Sequence, residues 1–257
     1  MRIGICLQPE RIKLLKPGLA DYAEMALSVL SKMSEGEIKE MKKAIEDLGL
    51  RAETSNGFLP GDEVMMCGEN YKLGSIVEYT KAAFDKAAIL GIDTFVLGSA
   101  KARFVKPEDN FSECMKQIEE STVAIGDVAA EYGVNIVIEP LNHRETNTIN
   151  KVSECAELVR RLNHPNIMLL ADFFHWGVEE EPASAIYENG DILRHVHIAN
   201  PITRFAPKAD DGYDYKPLKE ALDKAGYDGR MSLEAIYAED YTADTSLSLP
   251  FIKSIFK

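Results

Sequence analysis

The run NIVIEPLNHRETNTIN, from Asn135 to Asn150, leaves little choice of fold for the chain around it. Asn135 to Ile138 is too short for a helix and too uniformly apolar for a half-exposed strand. It reads as a parallel strand buried on both faces and ended by Pro140. Glu139 is then the last strand residue, at the rim of a core, where a carboxylate needs a metal, a partner or a substrate to offset its desolvation. Glu145 follows on a loop.

Three other segments end in the same manner: IMLLAD at Asp172, RHVHI around His197 and RMSLE at Glu234. Two Glu, one Asp and one His at the ends of separate apolar strands form an oxygen-rich ligand set with a single imidazole. Such a set suits one divalent ion, Mn, Mg or Co, better than a closed structural zinc site.

The remaining strands are expected at Ile3–Leu7, Tyr22–Met25, Arg51–Ser55 and Thr94–Leu97. Helical spacing follows several of them. Ser34 and Glu37 form a capping box ahead of Ile38, Met41, Ile45 and Leu48, and Gly49 ends that helix. Longer helices are expected up to Leu90, stopped by Gly91, and from about Asn110 to Tyr132, stopped by Gly133. Shorter ones are expected from Ser153 to Leu162, near Pro182–Tyr187 and near Leu218–Ala225. The last apolar segment, Leu247–Phe256, is read as a helix interrupted by Pro250. The turn-rich stretch after Ser55, with Phe58, Met65 and Met66, is a candidate pocket wall or ordinary packing.

Strand-then-helix alternation with short connections argues for a single-domain (β/α)8 barrel over residues 1–257, and 257 residues is close to the ~250 typical of that fold. In such a barrel the active site lies at the C-terminal ends of the strands, where Glu139, Asp172, His197 and Glu234 fall. The formal charge of −13 disfavours nucleic acid and anionic membrane as partners and leaves small molecules. The four cysteines show no CxxC pair, so no disulfide framework is implied. No run approaches the ~18 apolar residues of a membrane span, and the N-terminus lacks the apolar length of a signal peptide. A soluble, cytoplasmic protein is expected.

EPLNHRETN, DFFHW, HVHIANPITR, and GYDG with SLEA resemble the xylose-isomerase-like TIM-barrel superfamily, and within it the ketose 3-epimerases of the tagatose and psicose type. The resemblance implies a metal held by Glu139, Asp172, His197 and Glu234, and substrate contacts from Glu145, His175 and Arg204. It also implies a homo-oligomer, a dimer or a tetramer. Ala199–Pro201 stand where the family usually has a small acidic turn.

The expected reaction is C3 epimerisation of a ketose through a metal-stabilised cis-enediolate, with Glu139 and Glu234 as the two acid/base groups on opposite faces of the substrate. The same site would serve an aldose–ketose or hydroxypyruvate isomerase or an inosose dehydratase. An abasic-site endonuclease and a non-catalytic sugar-binding barrel are more distant readings. His143, His164 and His195 are taken as structural, with His195 on the opposite face of its strand from His197. Lys101 and Arg103, beyond the fourth strand, are read either as reaching a substrate phosphate or, more commonly for loop cations, as solvated, and Trp176 as packing against a sugar or a loop.

Overall fold

Strands of four to six residues, largely buried on both faces, cannot remain solvated on either side, and they close here into a ring. In the computed structural model, which describes residues 1–238 and 240–257, the strands are β1 (Arg2–Cys6), β2 (Tyr22–Ala26), β3 (Ala52–Asn56), β4 (Thr94–Leu97), β5 (Asn135–Ile138), β6 (Ile167–Asp172), β7 (Leu193–Ile198) and β8 (Arg230–Leu233). They pair in sequence order, all parallel, and β8 returns to β1 through Arg2 opposite Arg230 and Ile5 opposite Leu233. The result is a closed eight-stranded (β/α)8 barrel.

Around it lie α1 (Leu27–Leu30), α2 (Glu35–Asp47), α3 (Leu73–Leu90), α4 (Phe111–Tyr132), α5 (Val152–Leu162), α6 (Phe173–Val178), α7 (Ser184–Tyr187), α8 (Lys216–Lys224) and α9 (Tyr241–Phe256). The boundary chemistry is local. Ser34 Oγ accepts from the Glu37 N–H at 3.3 Å while Glu37 Oε2 accepts from the Ser34 N–H at 2.8 Å, which closes the capping box of α2. Gly91 and Gly133 end α3 and α4 in the left-handed conformation that a side chain would disfavour.

The main apolar core fills the layer between sheet and helices. A smaller cluster of Val96, Val137 and Leu170 is distinct from it, contributed by the neighbouring strands β4, β5 and β6. No described helix is long and apolar enough to cross a membrane.

Two expectations need correction. Helix α9 begins six residues before Leu247 and runs through Pro250 without interruption. Asp240 caps it by accepting from the Ala243 N–H at 3.0 Å, and Tyr241, Thr245, Leu249, Ile252 and Phe256 bury one face, which offsets the lost backbone bond at the proline. The short helices α1 and α6 were not expected at all. In the stretch after Ser55, Phe58 and Met66 are core packing: both are buried, and Phe58 meets the rings of Phe84 and Phe95 edge-on.

Gly4 shows how full the barrel floor is. A Cβ at position 4 would lie 2.3 Å from the Tyr22 ring, which crosses toward β8 and hydrogen-bonds Ser232. Gly4→Ala is therefore expected to destabilise the protein by about 1–3 kcal/mol through overpacking. A companion Tyr22→Leu change should recover part of that loss in urea denaturation, and simple additivity of the two losses would show the clash to be absent.

Candidate active site

Four strands deliver one side chain each to the same point. Glu139 directly follows β5, Asp172 ends β6, His197 lies in β7 and Glu234 directly follows β8. Each offers a ligand atom within 4.8 Å of the others. His197 Nδ1 is 3.0 Å from Glu139 Oε1, 3.4 Å from Glu234 Oε2 and 3.9 Å from Asp172 Oδ2.

The electrostatics are those of a crowded anionic site. Burial, and then the Glu234 charge, push Asp172 up to about 6, and the same two causes raise Glu139. Burial works against a charged His197, but Glu24, Glu234 and Glu139 outweigh it and hold the imidazole well above its usual range. Three carboxylates and one imidazole nitrogen, crowded and buried, are a donor set that a divalent cation would neutralise, so these residues fit a metal on chemical grounds.

A second ring of side chains surrounds this group. The loop after β5 is folded back on itself: Asn150 Nδ2 donates to Leu141 O at 2.7 Å and to Thr146 O at 2.9 Å. That closure presents Asn142, whose backbone N–H (3.2 Å) and side-chain amide (2.6 Å) both reach His175 Nδ1. Because Nδ1 accepts from a backbone N–H, the ring proton belongs on Nε2. Burial lowers the His175 pKa and favours the neutral ring. His175 Nε2 is buried without a hydrogen-bond partner, 3.8 Å from Asp172 Oδ2, so it is a donor available to an oxygen at the site.

On the outer side of the cluster, Arg204 NH1 donates to Glu145 Oε1 at 2.6 Å, and its NH2 lies 3.8 Å from Glu234 Oε2. Its guanidinium sits 4.8 Å over the Phe174 ring. Arg204 has φ of 61°, a left-handed backbone unusual for arginine, held by its own N–H on Asn200 O and by the Ile236 N–H on its carbonyl, both 2.8 Å. All seven residues named from the sequence, Glu139, Asp172, His197, Glu234, Glu145, His175 and Arg204, thus lie in one connected group of close contacts.

Some neighbours were not foreseen. Asn56 Nδ2 donates to Glu234 Oε1 at 2.7 Å. Glu24, fully buried in β2, accepts from both His195 and His197. Its signal in the sequence is a single carboxylate inside the apolar run YAEMA. Cys6 joins Glu24 and His197 as a second compact group of donor atoms, although burial and the Glu24 charge push its thiol well up.

The expectation for His195 is wrong: positions two apart on a strand share a face, and His195 points inward with His197. Arg103 is not solvated either. It is buried, its NH2 donates to the Glu139 carbonyl at 2.8 Å, and burial lowers its pKa to about 10. Lys101 is exposed. Trp176 stacks on Phe173 at 5.1 Å and donates to Pro182 O at 3.4 Å, so it packs against its own loop. His143 and His164 lie away from the site, beside Glu179 and Asp127.

Comparison with known proteins agrees with this architecture. The family model described as a xylose isomerase-like TIM barrel matches residues 19–255. A ketose 3-epimerase from Arthrobacter globiformis is 27% identical over 229 residues, covering 86% of this chain and 75% of that protein. A 3-dehydro-D-guloside 4-epimerase of Escherichia coli strain K12 is 28% identical over 215 residues, 79% of either chain. The crystal structure of a 3-keto-D-glucoside 4-epimerase from E. coli superimposes with a TM-score of 0.79 at 25% identity over 99% of both chains. These relatives bear epimerase names, and epimerases are isomerases. With a match that spans nearly its whole length, the chain belongs to the xylose isomerase-like TIM-barrel family.

Proposed function

We propose that this isomerase inverts the carbon beside the ketone of a sugar, and that its reaction is C3 epimerisation of a 2-ketose. The observation that carries the reading is the convergence of two carboxylates from strands that are not neighbours, Glu139 after β5 and Glu234 after β8, in one cluster with Asp172 and His197. Inversion needs a proton taken from one face of a carbon and another delivered to the opposite face, hence two acid/base groups across the substrate. A divalent ion such as Mn, Mg or Co, held by Glu139, Asp172, His197 and Glu234, would supply Lewis-acid stabilisation of the negative charge that develops on the ketone oxygen.

The chain's own groups then divide the work. One of Glu139 and Glu234 takes the C3 proton on its carboxylate, leaving an enediolate, and the other returns a proton to the far face. His175, with its proton on Nε2, donates to a substrate oxygen. Arg204 and Glu145, joined by their ion pair, offer a donor and an acceptor to the oxygen atoms near C1 and C2 and limit the entry of water.

A second reading has its own support. Similarity to a 4-epimerase acting on a 3-keto sugar extends over 99% of the chain. The chemistry is unchanged, since C4 of such a sugar is also a carbon beside a ketone, and only the placement of the ring differs.

Proton NMR in D2O with Mn- or Mg-loaded protein tests both. Exchange at C3 of a 2-ketose with growth of the C3 epimer is expected. Exchange at C4 of a 3-keto glycoside would move the assignment to the second reading, exchange at C1 with an aldose product would make the protein an aldose–ketose isomerase, and no exchange in any sugar overturns the proposal.

Glu139→Gln and Glu234→Gln are each expected to lower turnover by about 10²–10⁴-fold, and full turnover in either variant removes that residue from proton transfer. Gly98 offers an independent check on Glu139. A Cβ there would lie 2.3 Å from Glu139 Oε2, so Gly98→Ala must displace the carboxylate. Turnover is expected to fall on the order of a hundredfold with little change in melting temperature. Unchanged turnover would show that the position of Glu139 is not critical.

A further inference from the structure

The buried carboxylate of Glu24 has no part in the proton transfers above, and its surroundings are unusually complete. Its Oε2 accepts from Thr54 Oγ1 at 2.6 Å, Ser232 Oγ at 2.6 Å and His195 Nε2 at 2.8 Å, and its Oε1 accepts from His197 Nε2 at 2.9 Å. Tyr22 extends the chain: with the Ser232 proton committed to Glu24, the Tyr22 hydroxyl donates to Ser232 Oγ at 2.8 Å. Every member is buried, and the members come from β2, β3, β7 and β8. The pairing of β2 with β3 shifts register between Ala23 and Glu24, which sets Thr54 rather than Glu53 beside Glu24.

His197 is held from both sides. Its Nδ1 faces Glu139, Asp172 and Glu234, and its Nε2 faces Glu24. A carboxylate on Nε2 requires a proton there, which leaves Nδ1 as the nitrogen whose lone pair can serve a cation. The other three donors matter as much. A lone buried carboxylate would swing or take up a proton, whereas one with donors on both oxygens stays fixed and charged.

We infer that Glu24 is the positioning residue that fixes the ring orientation and tautomer of His197, so that Nδ1 is presented to a divalent cation. This rests on the metal reading of the Glu139, Asp172, His197 and Glu234 cluster proposed above. Substituting Glu24→Gln keeps the shape and removes one acceptor. With the amide oxygen toward His197, the NH2 group meets the donors Thr54, Ser232 and His195; with the amide reversed, it meets the His197 Nε2–H. Either orientation sets donor against donor.

The test is Mn²⁺ titration by calorimetry of metal-free wild type, Glu24→Gln and Glu24→Asp, with circular dichroism and melting of each metal-free protein to establish that it is folded. Glu24→Asp retains the charge and withdraws it from His197, so the test does not depend on one variant. Wild type is expected to bind one Mn²⁺, and folded variants to bind about 10- to 100-fold more weakly.

The Mg²⁺-loaded wild type should also show a downfield, slowly exchanging imidazole N–H resonance for His197 that moves upfield in Glu24→Gln, a change that mere loosening of the core would not single out. Affinity within twofold of wild type in a folded variant, or an unmoved N–H resonance, overturns the role of Glu24 while leaving the metal site standing. A wild type that binds no divalent cation overturns the metal reading itself.

Discussion

Like charge crowded into a buried volume is the condition that the rest of this molecule answers. Glu139, Asp172 and Glu234 bring carboxylate oxygens within 4.8 Å of one another. Two unit charges about 4 Å apart repel by roughly 4 kcal/mol at an effective dielectric near 20, so three together demand positive charge close by. His197 provides it at the centre and Arg204 at the outer edge, 3.8 Å from Glu234 Oε2. Together with burial, which acts in the opposite sense, these two cations account for a Glu234 carboxyl held below its ordinary range while Glu139 and Asp172 are raised. A dication in the same place would relieve the repulsion that the protein's own charges leave. The barrel is what makes such crowding possible, because strands anchored on both flanks can hold mutually repelling groups that a flexible loop would let separate.

Much of this was legible in the sequence, for a physical reason. Strands β4 and β6 fall where the apolar runs Thr94–Leu97 and Ile167–Asp172 place them, and helix ends fall at Gly91 and Gly133, because a buried strand and a left-handed stop each demand particular residue types. The cluster could be anticipated since each member terminates an apolar run, and the C-terminal ends of parallel strands in a closed barrel all point to one face. What escaped was tertiary. Nothing local distinguishes Arg103 from a solvated loop cation; only the fold brings the Glu139 carbonyl to it. Helix α9 passes through Pro250 because its buried face packs on the barrel, a gain invisible to a rule about proline. Glu24 is a lone carboxylate in the apolar run YAEMA, but its partners His195, Ser232 and Thr54 are distant in sequence. The misplacement of His195 was of another kind, an error of alternation, for residues 195 and 197 necessarily share a face.

Inside the ring, apolar packing and polar bonding are carried by different strands. Strands β4 to β6 contribute the apolar cluster of Val96, Val137 and Leu170, whereas β2, β3, β7 and β8 contribute the bonded network of Tyr22, Glu24, Thr54, His195 and Ser232. An apolar wall and a satisfied polar network each resist rearrangement, the first because a void would cost dispersion and the second because a broken bond would strand a buried polar group. The groups proposed to act on the carbon beside the ketone therefore stand on a floor with little freedom. Glu145 and Arg204, by contrast, come from the loops after β5 and β7, and meet at 2.6 Å in a pair that is about one-third exposed. That pair is held by its own contacts and by the unusual backbone at Arg204, and it belongs to loops, not to the strands beneath. Under the proposed reaction, a 2-ketose and a 3-keto sugar present the same reacting unit to the strand-end cluster, so discrimination between them would fall to these two loops.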